Sequence, residues 1–327
     1  MVCTRLLIED CSYDRSRSVR VAFLLVSRAL AYRSDMPCLQ TTTIYSGICH
    51  GTLGELLQGP YVKDGELHIA IISLPIRRYS WAHFSVGELG DPDVELAGKE
   101  RSRKAIDLYL ARHQRSLPPG RWTYESELLQ GKGMASSTAD IVATIRCLDA
   151  VFGMQSPQDV ISTILREIER SDSVFLETHA LYLSARQEVV QCFPGNPRFH
   201  VCYIDEGEPV DTESVAPALL GHYERHLPAY RATMERAIDA FVRSDLVEIS
   251  RCATESAVLA QGALPKRHLD SMLAQQRRYK ADGVVVAHTG SLVGYLYVRR
   301  PTAREIGELS SFFRGLGYQC RFVETGF

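Results

Sequence analysis

A chain of 327 residues with 37 Lys and Arg against 39 Asp and Glu has a formal net charge of −2, so nothing in its charge recruits nucleic acid or an anionic membrane. A hydrophobic content of 45% is ample for a core, and 23% charged residues argue against a disordered chain. The length suits two lobes sharing a cleft or one large domain.

The nine cysteines are Cys3, Cys11, Cys38, Cys49, Cys147, Cys192, Cys202, Cys252 and Cys320. Their odd number, the absence of Cys-x-x-Cys and a spacing that fits no zinc site point to a reducing cytoplasm, with most thiols as small core residues. No apolar run approaches transmembrane length.

Residues 1–35 stand apart. Arg15, Arg17, Arg20 and Arg28 surround a short apolar stretch, Val21 to Val26. A signal peptide would place a longer apolar core nearer the start, and Glu9, Asp10 and Asp14 weigh against an organellar presequence. The segment is read as an N-terminal extension ahead of a native start at Met36.

Thr42–Ile48 and Leu67–Leu74 read as strands flanking a Gly54–Gly59 turn, and Trp81–Val86 alternates as a further strand. Gly98–His113 reads as a helix with a basic face, and Pro118-Pro119-Gly120 turns into a strand over Trp122–Leu128. A helix carrying Ile141, Ile145, Leu148 and Phe152 follows, with Gly153 as its stop. Ser156 as N-cap and Pro157 at the first helical position open another, through Val160, Ile161, Ile164 and Ile168.

Phe193-Pro194-Gly195-Asn196-Pro197 marks a boundary that divides the chain into 36–195 and 196–327. Beyond it the pattern gives a strand at His200–Ile204, helices across Ala216–Arg243 and Leu246–Ala260, and a strand pair around Val284–Ala287 and Gly294–Val298. A helix at Thr302–Leu316 and a strand at Gln319–Val323 close the chain. Strands that do not alternate regularly with helices read as an α+β fold.

The most informative stretch is Gly131-Lys132-Gly133-Met134-Ala135-Ser136-Ser137-Thr138-Ala139-Asp140, directly ahead of a periodic apolar run. A glycine-containing loop feeding a helix exposes backbone N–H groups without intrahelical partners at the positive end of the helix dipole, which suits phosphate. Lys132 is suited to offset phosphate charge, and a serine hydroxyl to reach magnesium. The spacing is not that of the Gly-x-x-x-x-Gly-Lys-Ser/Thr loop. A plain N-cap is the competing reading of the loop taken alone.

Two further segments decide between these readings. Cys49-His50-Gly51-Thr52-Leu53-Gly54-Glu55-Leu56-Leu57-Gln58-Gly59 precedes the loop, and Gly283-Val284-Val285-Val286-Ala287-His288-Thr289-Gly290-Ser291-Leu292-Val293-Gly294 follows it. In this order the three segments resemble the motifs of the GHMP small-molecule kinases, and their wording is most like that of the L-threonine kinases of cobalamin assembly. The resemblance runs from about Met36 to the C-terminus. It implies a two-lobed fold with the active site in the cleft, ATP and Mg2+ as cofactors, and a small amino acid as substrate.

By resemblance, Gly131, Lys132, Gly133, Met134, Ala135, Ser136, Ser137 and Thr138 cradle the ATP phosphates, with Ser137 on magnesium or the β/γ-phosphates. Lys132 acts beside them unless it is a solvated loop lysine. Glu167-Ile168-Glu169-Arg170-Ser171-Asp172-Ser173 resembles a family segment, Glu-Pro-Thr-Asp-Ser, whose aspartate sits at the acceptor. Asp172 is accordingly read as catalytic, as a base or electrostatically, rather than as a helix cap. Glu169 is assigned to the metal, with Glu167 competing for that role.

Gly54, Glu55 and Gln58 fall on the acceptor side, Glu55 being apt for a substrate ammonium. Arg77 and Arg78 are the nearest cations in sequence for a substrate carboxylate. His288, Gly290 and Ser291 close the cleft, although a lone His288 also suits a structural role. The chain departs from the threonine-kinase pattern at His50, Leu129, Gln130 and Arg170-Ser171, positions that bear on loop stiffness and acceptor fit.

The resulting expectation is an ATP-dependent kinase that converts L-threonine to O-phospho-L-threonine for the aminopropanol linker of cobalamin. Homoserine, serine or a modified amino acid in specialised metabolism is the alternative acceptor. A catalytically silent nucleotide-binding regulator is the alternative from another class. No nucleic acid or membrane partner is expected, and a homodimer is left open.

Overall fold

Two long strands rich in aliphatic and β-branched residues carry the rest of the molecule. The computed structural model describes residues 43–87, 90–207 and 212–327, with 212–217 as backbone alone. The proposed extension at 1–35 lies outside these residues. β1 (Thr43–Lys63) and β2 (Glu66–Val86) pair antiparallel along their whole length.

Their hairpin turn is Asp64-Gly65, where φ is 53° and 80°. Two positive φ angles on Asp-Gly match the twist of the strands. The turn expected at Gly54–Gly59 is therefore corrected: that segment is strand, interrupted by register shifts between His50/Gly51, Thr52/Glu55 and Glu55/Leu57. Gly54 has φ 61°, and a Cβ there would lie 2.3 Å from the Val286 carbonyl oxygen, so the glycine marks a bulge pressed against a neighbouring strand. The two strands read separately at Leu67–Leu74 and Trp81–Val86 are likewise one strand. Pro75 is tolerated inside it because its partner Thr52 sits at the irregular part of β1.

In chain order there follow α1 (Pro92–Glu95), α2 (Glu100–His113), β3 (Gly120–Ser126), α3 (Ser136–Phe152), α4 (Gln158–Arg166), β4 (Ala180–Leu183), β5 (Glu188–Cys192) and β6 (His200–Asp205). The remainder is α5 (Thr212–Arg243, kinked at His226), α6 (Leu246–Ala260), α7 (Leu269–Gln275), β7 (Gly283–Val286), β8 (Leu292–Tyr297), α8 (Ala303–Gly315) and β9 (Arg321–Glu324). Helices and strands intermix without regular alternation, which is the α+β class. All strands lie in one antiparallel sheet, β5-β4-β2-β1-β7-β8-β6-β9, with β3 branching from β2. The step from β1 to β7 is a single pairing, Glu55 with Val286.

α3 packs on β1 and β2, and α6 on β1 and β7. The larger core joins Leu53, Ile72, Val142, Ile145, Leu148 and Tyr182; a second, around Val284, Tyr295, Leu309 and Phe313, lies where α7 and α8 meet β6–β8. Gly153 ends α3 at φ 64°, as expected.

α4 begins later than its sequence pattern suggests. Pro157 occupies the cap position, and the Ser156 N–H and Oγ both bond Asp149, at 2.8 and 2.7 Å. Asp149 also accepts from the Tyr109 hydroxyl, so Ser156 serves the end of α3 instead of capping α4. Among the described residues the six cysteines are free, and no helix is long and apolar enough to cross a membrane.

Candidate active site

The loop before α3 is shaped by three left-handed residues, Gly131 (φ 69°), Gly133 (φ 89°) and Ala135 (φ 53°). Ala135 stands at the N-cap with no side-chain hydrogen bond to the helix, which leaves the first amides of α3 without a side-chain cap. The loop is held from both sides by backbone. Thr52 N–H donates to the Met134 carbonyl at 3.1 Å and Gly54 N–H to that of Gly133 at 2.9 Å; Ser291 N–H donates to that of Lys132 at 3.1 Å.

This approach is too close for side chains. A Cβ on Gly133 would sit 2.3 Å from that of Ala287, and one on Gly290 would sit 2.2 Å from the Lys132 oxygen. The three sequence segments therefore meet at one place. Lys132 is not a free loop lysine: its Nζ donates to the Gly207 carbonyl at 2.7 Å and lies 3.6 Å from Asp205 Oδ1. Burial opposes ionisation of Asp205, but the Ser291 hydroxyl, the Gly207 N–H and Lys132 together hold its pKa below the usual range.

On the other side of the helix start, Glu169 receives hydrogen bonds from Ser137 Oγ at 3.0 Å and Thr138 Oγ1 at 2.8 Å. Arg101, from the first turn of α2, reaches the same carboxylate at 2.6 Å and Ser137 Oγ at 3.0 Å. Glu167 is exposed, and its carbonyl accepts from Lys104 Nζ. Of the two glutamates considered, only Glu169 meets the loop.

Asp172 follows in the same irregular segment. Ser73 Oγ, from β2, donates to its Oδ1 at 3.3 Å. Burial of the carboxyl pushes its pKa up to about 7, with the Glu55 charge adding to the rise and Arg170 opposing it. Beside it lies a small pocket lined by His50, Thr52, Ser73, Ser173, His179 and Phe327. His50 Nε2 and His179 Nδ1 are buried there without a hydrogen-bond partner among the described residues. Burial lowers both pKa values, that of His179 to about 4, so neutral imidazoles present acceptors.

The closing segment is tied to β1 by a buried relay. Glu55 Oε2 accepts from the His288 N–H at 3.0 Å and from its Nδ1 at 2.9 Å. His288 Nε2 meets Ser256 Oγ at 3.0 Å; Ser256 accepts from the Gln58 N–H, and Gln58 Nε2 donates to the Tyr223 hydroxyl. His288 thus takes the structural role that the sequence left open for it, fixing Glu55. Lys266, buried below, donates to the carbonyls of His288 at 3.2 Å and Gly290 at 2.5 Å. Its burial lowers its pKa to about 8.

Residues 101–176, which hold the loop, Glu169 and Asp172, match the GHMP kinases N terminal domain. The chain is 27% identical over 269 residues to an L-threonine kinase of Citrobacter freundii, covering 77% of this chain and 85% of that protein. An L-threonine kinase of Salmonella typhimurium is also 27% identical, over 262 residues, covering 77% and 82% respectively. Over these segments the chain is similar to the GHMP kinases.

Its fold is that of the family. Homoserine kinase from Cytophaga hutchinsonii superposes with a TM-score of 0.65 at 13% identity, over 89% of this chain and 97% of that one. L. major mevalonate kinase in complex with R-mevalonate gives 0.64 at 15%, over 88% and 98%. The domain match and the two kinase relatives support a small-molecule kinase, and GHMP kinases use ATP.

Sequence reading missed three groups at its site. Arg101 and Lys266 sit on no motif, and Arg170 was counted only as a departure from a pattern. Among the described residues no hydrogen bond or ion pair links Arg77 or Arg78 to Glu55 or Asp172; a cation two residues before Asp172 was the available signal.

Proposed function

We propose that this kinase transfers the γ-phosphoryl group of ATP to the side-chain hydroxyl of L-threonine in the cytoplasm, giving O-phospho-L-threonine for the aminopropanol linker of cobalamin. The observation that carries this reading is one irregular segment, Glu169 to Asp172. It presents one carboxylate to Ser137 at the phosphate loop and, three residues on, a second whose pKa lies near neutrality.

Residues 36–195 and 196–327 act as the two lobes, with the β1–β7 step between them. The uncapped amides of α3 and the loop N–H groups receive the phosphates. Lys132, paired with Asp205, offsets their charge. Ser137 and Glu169 form an all-oxygen pair suited to magnesium, and Arg101, whose side chain is 57% exposed, is free to leave Glu169 for a phosphate. Ser137 and Glu169 would hold the ion there, and it would supply charge neutralisation of the phosphates.

The acceptor hydroxyl is directed at Asp172. As the new O–P bond forms and the bond to the β-phosphate oxygen breaks, the hydroxyl proton passes to Asp172, whose pKa near 7 lets it accept and later release that proton. Glu55, held by His288, faces the acceptor ammonium.

Mass-spectrometric identification of the product from equimolar L-threonine, L-serine and L-homoserine tests the assignment. O-phospho-L-threonine should exceed the other two products by about tenfold or more, the discrimination one methyl or methylene contact supplies. A dominant phosphohomoserine or phosphoserine would reassign the acceptor. No acceptor phosphorylation with nucleotide still bound would favour the regulatory reading.

A further inference from the structure

We propose that Arg170 receives the α-carboxylate of the acceptor and so selects an amino acid over other small alcohols; the assignment rests on the amino-acid kinase reading above. Arg170 Nε donates to Ser184 Oγ at 2.7 Å, and among the described residues its terminal nitrogens have no hydrogen-bond or ion-pair partner. A guanidinium drawn out of water with its forked donors unused is positioned for a planar anion, which a carboxylate matches in bidentate fashion.

The group is held in place rather than left mobile. Ser171 N–H donates to the Ser184 carbonyl at 3.2 Å, and Gln187 Nε2 bonds the carbonyls of Glu169 at 2.9 Å and Ser184 at 3.1 Å. Both flanks of Arg170 and the serine that orients its Nε are thus tied to the same short β-turn region. The charges of Asp172 and Glu55 both act on the guanidinium, so it lies in the same electrostatic neighbourhood as the two carboxylates of the acceptor reading.

Charge balance supports the same ligand. A zwitterion brings an ammonium, which Glu55 can take through the oxygen His288 leaves unused, and a carboxylate, which Arg170 can take. A neutral alcohol would supply neither.

The test compares L-threonine with L-threoninamide, which lacks the anion, in the wild type, Arg170→Met and Arg170→Lys. In the wild type kcat/KM should favour L-threonine by on the order of 100-fold, as a charge-assisted bidentate contact allows. Arg170→Met should lose about that factor on L-threonine, mainly through KM, lose at least about tenfold less on the amide, where only its effect on Asp172 remains, and change KM for ATP by less than about threefold. Arg170→Lys should fall between, because it keeps the charge without the fork, and it carries the same ratio if the Met variant does not fold.

A preference for L-threonine that survives in both variants would overturn the assignment. So would an equal loss on both acceptors, which would make Arg170 only a counter-charge to Asp172 and Glu55. Absence of wild-type turnover on L-threonine, L-serine and L-homoserine would instead sink the amino-acid reading and this assignment with it. The two failures are distinct, because the first occurs in a working threonine kinase.

Discussion

Asp172 is the residue on which the chemistry and the stability of this chain meet. Burial raises its pKa to about 7 in the folded protein, above the ordinary carboxylate value that it would have unfolded. The folded state therefore binds the extra proton between about pH 4 and pH 7, and stability falls as pH rises through that window. Asp172→Asn removes the ionisation. It should raise the melting temperature at pH 8 by about 2–4 °C or more and change it little at pH 4, which a pair of thermal scans would measure. The same variant should abolish the rise of kcat through pH 7 that the wild type is expected to show. An unchanged profile in the variant would remove Asp172 from proton transfer.

At the scale of elements, the site is made by backbone contact among three segments far apart in sequence. The loop before α3 is clasped between β1 and the β7–β8 turn, and Gly133 and Gly290 are what permit it. Gly133→Ala places a methyl against Ala287 at a φ of 89°, and should destabilise the fold by about 2 kcal/mol or more while raising KM for ATP. Denaturant melts with ATP titration would check both; a variant of wild-type stability would mean that the clasp is looser than described.

The loop, the helix after it and its stop at Gly153 were legible in the sequence because glycine placement and apolar period agreed there. The Gly54–Gly59 turn was misread because glycines that allow a strand to bulge against a neighbour look, in one dimension, like glycines that reverse the chain. Asp64-Gly65 carried the true hairpin signal between two apolar runs, and it went unused. Short β4 and β5 offered too few residues for a period to show.

At the scale of the whole molecule, one antiparallel sheet runs through both proposed lobes, and its narrowest link is Glu55 with Val286. Glu55 is also fastened to the second half of the chain by His288. The α+β class and the family were legible because three motifs in order constrain far more than any one. Arg101, Arg170 and Lys266 were not legible, since their roles arise from neighbours that folding supplies and no spacing encodes.

The central claim is that this assembly moves phosphoryl from ATP to a hydroxy amino acid. Magnesium-dependent ADP release, measured with and without L-threonine in the wild type, Ser137→Ala and Asp172→Asn, tests it most directly. Threonine should stimulate release in the wild type, and either substitution should reduce that stimulation by about 100-fold or more, in line with loss of a group acting on the transition state. Wild-type release that no hydroxy amino acid stimulates, or full stimulation retained in both variants, would contradict the account.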